Sequence, residues 1–190
     1  MSDRPLAAAA PRWDLLVRAV HWWVALAVLA NYFLLEEGSL PHVWVGCSVL
    51  VLVLLRLLWG LVGTRPARFT SFPPSLSRAL AHLRDMIGGR PRSYPSHNPL
   101  GSLMVYALWA TLLVVAGSGL AMEGTLFPGA AAVQAQQAAA ETAFGEVMEG
   151  IHGTAANLLL VLAALHVAGV LLESKLSGVN LARAMLTGGR

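Results

Sequence analysis

Charge is scarce in this 190-residue chain: Asp, Glu, Lys and Arg make up only 12% of it. A soluble domain carries about 25%, so no water-facing surface of ordinary composition can be built from it. Hydrophobic residues reach 56%, against about 45–50% in soluble domains, and the mean hydropathy is +0.63. Cysteine is nearly absent. Cys47 alone, inside an apolar run, excludes a disulfide framework within the chain and suits a small buried hydrophobe. No internal repeat appears at a solenoid period. Carboxylates are missing from every long apolar run. That removes the usual mid-membrane signature of an ion or metal transporter.

What the chain does have is four apolar runs, at about 15–35, 42–62, 100–122 and 151–172. Each is close to the roughly 20 residues that carry a helix across a bilayer, and each is too long for a barrel strand. The expected fold is all-α: an integral membrane four-helix bundle forming a single domain over 1–190. The polar, basic start (residues 1–12) precedes a full-length apolar run and no A-x-A site follows directly, so the first helix is expected to be retained rather than cleaved as a signal. Asn98 and Pro99 suit the start of the third span.

Charge asymmetry orients the spans. Arg4, Arg12 and Arg18 lie at the first, Arg65, Arg68, Arg78, Arg84, Arg90 and Arg92 between the second and third, and Lys175, Arg183 and Arg190 after the fourth. The other two connections contain no Lys or Arg and hold Glu36, Glu37, Glu123, Glu141, Glu146 and Glu149. The positive-inside rule places both termini in the cytoplasm. The pI near 9.6 then points to anionic lipid and not to nucleic acid. Within the basic connection, residues 75–87 predict an amphipathic helix on the inner membrane surface, with Ser75 as cap and Leu76, Leu80, Leu83 and Ile87 on the apolar side. Its polar side carries Arg78, Arg84, Asp85 and His82, the histidine being expected in water. A second short helix is expected over 130–143 in the outer loop.

The histidines carry the chemistry. His152 and His166 stand fourteen residues apart in the fourth run, close to four turns, so their rings leave one helix face about 21 Å apart along the axis. With the spans oriented, His42 and His152 fall at the outer level, His21 and His166 at the inner. An ionisable residue inside a membrane is a functional hypothesis by default. Each level offers two imidazoles and no Cys, Asp or Glu, too few for a zinc site. Two trans ligands are what a haem needs, because the porphyrin supplies the other four. Gly46 and Gly169 would let a flat macrocycle approach the backbone. Arg18 and Arg56 are buried or near-buried cations that need an anion: a haem propionate, or lipid phosphate reached by snorkelling. His97 lies outside any span and is a candidate hydrogen-bond partner for a propionate. Trp22, Trp23, Trp44, Trp59 and Trp109 suit interface anchors, and Asn157 a bond to a neighbouring helix.

The blocks W-D-L-L-V-R-A-V-H-W-W (13–23), H-V-W-V-G (42–46), R-L-L-W-G-L-V-G (56–63), H-N-P-L-G (97–101) and H-G-T-A-A-N-L-L-L-V-L-A-A-L-H-V-A-G (152–169) resemble the bacterial cytochrome b561 and nickel–iron hydrogenase b-type cytochrome family. The resemblance implies a multi-pass cytochrome of the bacterial inner membrane with two haem b groups, His21 and His166 ligating one iron, His42 and His152 the other. It implies electron exchange with the quinone pool, ubiquinone or menaquinone, and with a c-type cytochrome or a dehydrogenase or hydrogenase subunit. Alternatives are a quinol oxidase passing electrons to oxygen at an exposed haem edge, and a non-redox four-span protein such as a His-lined metal transporter.

Overall fold

The computed structural model describes residues 13–88, 94, 96–123 and 142–188. Helices α1 (Leu15–Phe33), α2 (Leu40–Val62), α3 (Leu76–Ile87), α4 (Pro99–Glu123), α5 (Ala143–Ser177) and α6 (Leu181–Thr187) follow in order, with two 3-10 turns, Arg65–Ala67 and Phe69–Ser71, before α3. The described residues contain no strand. Four of the helices, α1, α2, α4 and α5, are long and apolar enough to cross a membrane, consistent with a four-helix membrane bundle. The expected short helix over 130–143 lies almost wholly outside the described residues, except for Thr142 and Ala143.

Helix α5 runs 35 residues. At 1.5 Å per residue this is about 52 Å, well beyond a hydrocarbon core of about 30 Å. The apolar run marks only the part of the helix that lipid would cover. The helix itself begins where Thr142 accepts the amide hydrogen of Gly145 on Oγ1, at 3.1 Å.

Packing divides the described chain into two compact units. One comprises the described parts of Met1–Arg18, Leu58–Ala107 and Leu162–Arg190; the other those of Ala19–Leu57 and Leu108–Val161. The first is held at Asp14. Its carboxylate accepts from Val17 N (2.9 Å), Trp59 Nε1 (3.0 Å) and Thr64 Oγ1 (2.6 Å), so one side chain caps α1 and ties in the end of α2. Trp59 therefore turns inward instead of serving as an interface anchor. Hydrogen bonds to a charged acceptor contribute about 1.5–3 kcal/mol each. Asp14→Ala removes the acceptor of two part-buried donors and one exposed donor and is expected to destabilise the protein by about 1–3 kcal/mol, read as a lower unfolding temperature in detergent; an unchanged midpoint would refute the role.

Helix α3 begins and ends where expected. Ser75 Oγ accepts from Arg78 N at 3.4 Å, and Gly88 follows the last turn. Leu76, Leu80, Leu83 and Ile87 are exposed, as an apolar face lying on lipid would be. The expectation that His82 is solvated is corrected: the residue is 2% exposed. A helix held between lipid and protein turns its leucines to lipid and packs against protein with the opposite side. Here that seam is Ala79 and His82, while Arg78 and Arg84 flank it in the open.

The second unit has a core of Ala27, Val49, Val53, Leu112 and Leu159, drawn from α1, α2, α4 and α5. Ala27 is the small residue that lets backbones approach closely, and Val49, Val53, Leu112 and Leu159 fill the space around it. Polar cross-links add to it. Tyr32 Oη donates to Asn157 Oδ1 at 2.6 Å, joining α1 to α5, and Trp23 Nε1 donates to Ser48 Oγ at 3.0 Å, joining α1 to α2.

Candidate haem site

His42 sits in the first turn of α2 and His152 in α5, both in the second unit. Their ring centroids are 6.1 Å apart, with the planes at 57°. His152 is fixed by α4: its Nδ1 lies 2.9 Å from the Val115 carbonyl and 3.3 Å from Ser118 Oγ. A carbonyl can only accept, so Nδ1 carries the hydrogen and Nε2 presents its lone pair, the arrangement of a metal-ligating histidine with an outer-shell acceptor. The ring also lies against α4 itself. A Cβ on Gly119 would stand 3.2 Å from His152 Cε1 and 3.4 Å from Nδ1.

His42 is held through its backbone. Its amide lies 3.4 Å from Ser39 Oγ, and its carbonyl accepts from Asn31 Nδ2 at 3.2 Å. His42 Nδ1 is buried and makes no hydrogen bond among the described residues. Leaving a buried ring nitrogen unmatched costs about 1–3 kcal/mol.

These features fit an iron held by two imidazoles. Two imidazoles sharing one metal, with bonds of about 2.0 Å and each ring centre about 1 Å behind its nitrogen, would have centroids at most about 6 Å apart, the separation found here. Among the described residues no three His, Cys, Asp or Glu side chains group to hold a bare metal ion; a haem asks the protein for only two ligands.

The other candidates are placed as follows. His21 belongs to the second unit, with its ring edge-on to Trp22 at 5.2 Å, and His166 to the first, half-buried on α5. Arg56 is 4% exposed, with its guanidinium carbon 5.0 Å from the Trp109 ring centroid; Trp109, like Trp59, faces inward. Arg18 donates from Nε to Met185 O at 3.2 Å and from Nη2 to Leu186 O, serving the carbonyl end of α6. His97 is stacked between Trp13 (4.8 Å) and Phe72 (4.6 Å). It borders a cavity of about 230 Å³ together with Arg78, His82, Asp85 and Tyr94. Gly46 lies in ordinary contact with Asn31, and Gly169 faces open space. Sequence reasoning missed Asn31, the Val115 carbonyl, Ser118 and Gly119. The one visible signal was the G-S-G break (117–119) in an otherwise apolar helix.

No curated protein and no solved structure matches the chain. The family model of prokaryotic cytochrome b561 matches residues 12–188, and within that stretch His42 and His152, from separate candidate transmembrane helices, have ring centroids 6.1 Å apart. The chain belongs to the prokaryotic cytochrome b561 family and is a multi-pass membrane cytochrome of b type that binds haem and takes part in electron transfer.

Proposed function

We propose that the chain is a dihaem cytochrome of the bacterial inner membrane that moves electrons between the quinone pool and a periplasmic or membrane redox partner, such as a c-type cytochrome or a dehydrogenase or hydrogenase subunit. Both termini lie on the cytoplasmic side, by the arginine bias of the connections. His42 and His152 hold the outer haem. His21 and His166, paired on their level along the sequence, hold the inner one. The observation that carries the reading is the His42–His152 pair, with its 6.1 Å centroid separation and the tautomer of His152 set by Val115 O.

A haem held by His42 and His152 would supply an iron that takes up and releases one electron. The chain's own residues prepare this. Val115 O and Ser118 orient His152, Gly119 leaves room for its ring, and Asn31 secures the first turn of α2 beneath His42. Arg56 is the buried cation suited to a propionate, its desolvation already eased by the Trp109 face; Arg18 and His97 are candidates for the same role.

The test is a reduced-minus-oxidised visible spectrum of the purified chain together with haem stoichiometry. Sharp low-spin b-type bands and about two haems per chain are expected. One haem per chain would remove the second site, and a colourless protein would remove both.

A further inference from the structure

The buried His82 has partners that electron transfer between two haems does not require. Its Nδ1 is 3.3 Å from Tyr94 Oη, and its Nε2 is 3.7 Å from Glu173 Oε2. The second distance is too long for a hydrogen bond, and Nε2 makes none among the described residues. The Glu173 side chain is itself only 14% exposed. A buried imidazole and a partly buried carboxylate thus face each other at 3.7 Å, within ion-pair range when the ring carries a second proton and without a hydrogen bond between them. His82 and Tyr94 border the cavity of about 230 Å³, whose other polar walls include Arg78, Asp85 and His97. Among the described residues, these and Glu173 are the titratable and charged groups that border the cavity or pair with the ring.

Glu173 also has a fixed relation to the chemistry. It follows His166 by seven residues on one unbroken helix. Seven residues are nearly two turns, so the two side chains leave the same face about 10 Å apart along the axis. An electron placed on a metal held by His166 therefore adds a negative charge close to a partly desolvated proton acceptor, where Coulomb interactions are far stronger than in water. Added negative charge favours the protonated form of any group nearby.

We infer that His82, Glu173 and Tyr94 form a proton-binding site that fills when the haem on His166 is reduced. The inference rests on the proposed function, in which His166 is a haem ligand. The balance is one electron and one proton. The redox partner's electron converts ferric to ferrous iron. A proton from water in the cavity forms an N–H bond on His82 or an O–H bond on Glu173, and both leave on reoxidation. Tyr94 Oη, against Nδ1, accepts from or donates to the ring as its protonation changes.

The test is a redox titration of the full chain with both haems bound, at a series of pH values, for the wild type, Glu173→Gln and Tyr94→Phe. The haem on His166 is identified as the component lost in His166→Ala. Its midpoint potential is expected to fall as pH rises. Glu173→Gln should flatten that slope and Tyr94→Phe should displace its pH range, while the other haem's profile stays unchanged. In the reduced-minus-oxidised infrared spectrum a carboxyl or imidazole band should appear in the wild type and be altered in Glu173→Gln. A purely packing role for Glu173 would move none of these. A wild-type potential on that haem that is independent of pH, or a slope that persists in both variants, overturns the inference and leaves the cytochrome reading intact. If Glu173→Gln does not hold both haems, the wild-type infrared spectrum decides, and absence of the band overturns it. A chain whose haem content is unchanged by His166→Ala overturns this inference and the assignment of that ligand together.

Discussion

His42→Ala and His152→Ala are expected to yield the same product: a chain that has lost one haem of the two proposed, the same spectral component missing from each. The rings come from different helices, and the residues are 110 positions apart in the sequence; only a shared iron makes their losses identical. Their 6.1 Å separation, and a His152 hydrogen bond that occupies Nδ1 and leaves Nε2 free to ligate, are the observations behind this expectation. The double variant should lose no more than either single one, since residues that act as one unit are strongly non-additive. Pyridine haem assay and redox titration of the remaining component read the result. If the two single variants kept different haems, the pairing of His42 with His152 would be wrong even though the rings are close.

The part of this site legible in the sequence was what depth and charge encode. Four apolar runs are long enough to measure against a bilayer, and the arginines orient them. His42 and His152 then fall on one level before any packing is considered. Caps were legible for the same local reason: Asn98 Oδ1 accepts from Gly101 N at 2.7 Å, one turn along, and Ser75 does the equivalent for α3. Residues whose role depends on a neighbour distant in the chain were not legible. Arg18 looked like a cation in need of an anion, but it meets two carbonyls of α6, more than 160 residues away. His82 shared a helix face with Arg78 and Arg84, and periodicity assigned all three to water. It could not register that a narrow seam within that face packs on Glu173 and Tyr94. The α4 contribution to His152 was hidden because a carbonyl has no sequence signature and a glycine in a membrane helix has several explanations.

That glycine provides the sharper test. Gly119→Val is expected to remove the outer haem, or to lower its affinity by about tenfold or more, the range for losing a metal ligand's outer-shell support. The effect is steric. A Cβ alone would lie 3.2 Å from His152 Cε1, closer than unstrained carbon atoms sit (about 3.5–4.0 Å), and valine adds two methyl groups beyond it. The ring must swing off α4, which breaks its Nδ1 bond to Val115 O and moves it from its place beside the His42 ring. Gly119→Ala is the graded case. It gains about 1 kcal/mol of helix propensity over glycine while pressing on the ring by a few tenths of an ångström, so haem retention with a shifted spectrum is expected. The control lies two residues away on the same helix: a Cβ on Gly117 meets nothing within 4 Å, and Gly117→Val should leave both haems in place. Equal loss from the two valine variants would mean that α4 had been damaged as a helix and that Gly119 has no particular relation to the imidazole. Loss at 119 and retention at 117 would tie the haem to His152 through a contact that neither depth nor charge predicts.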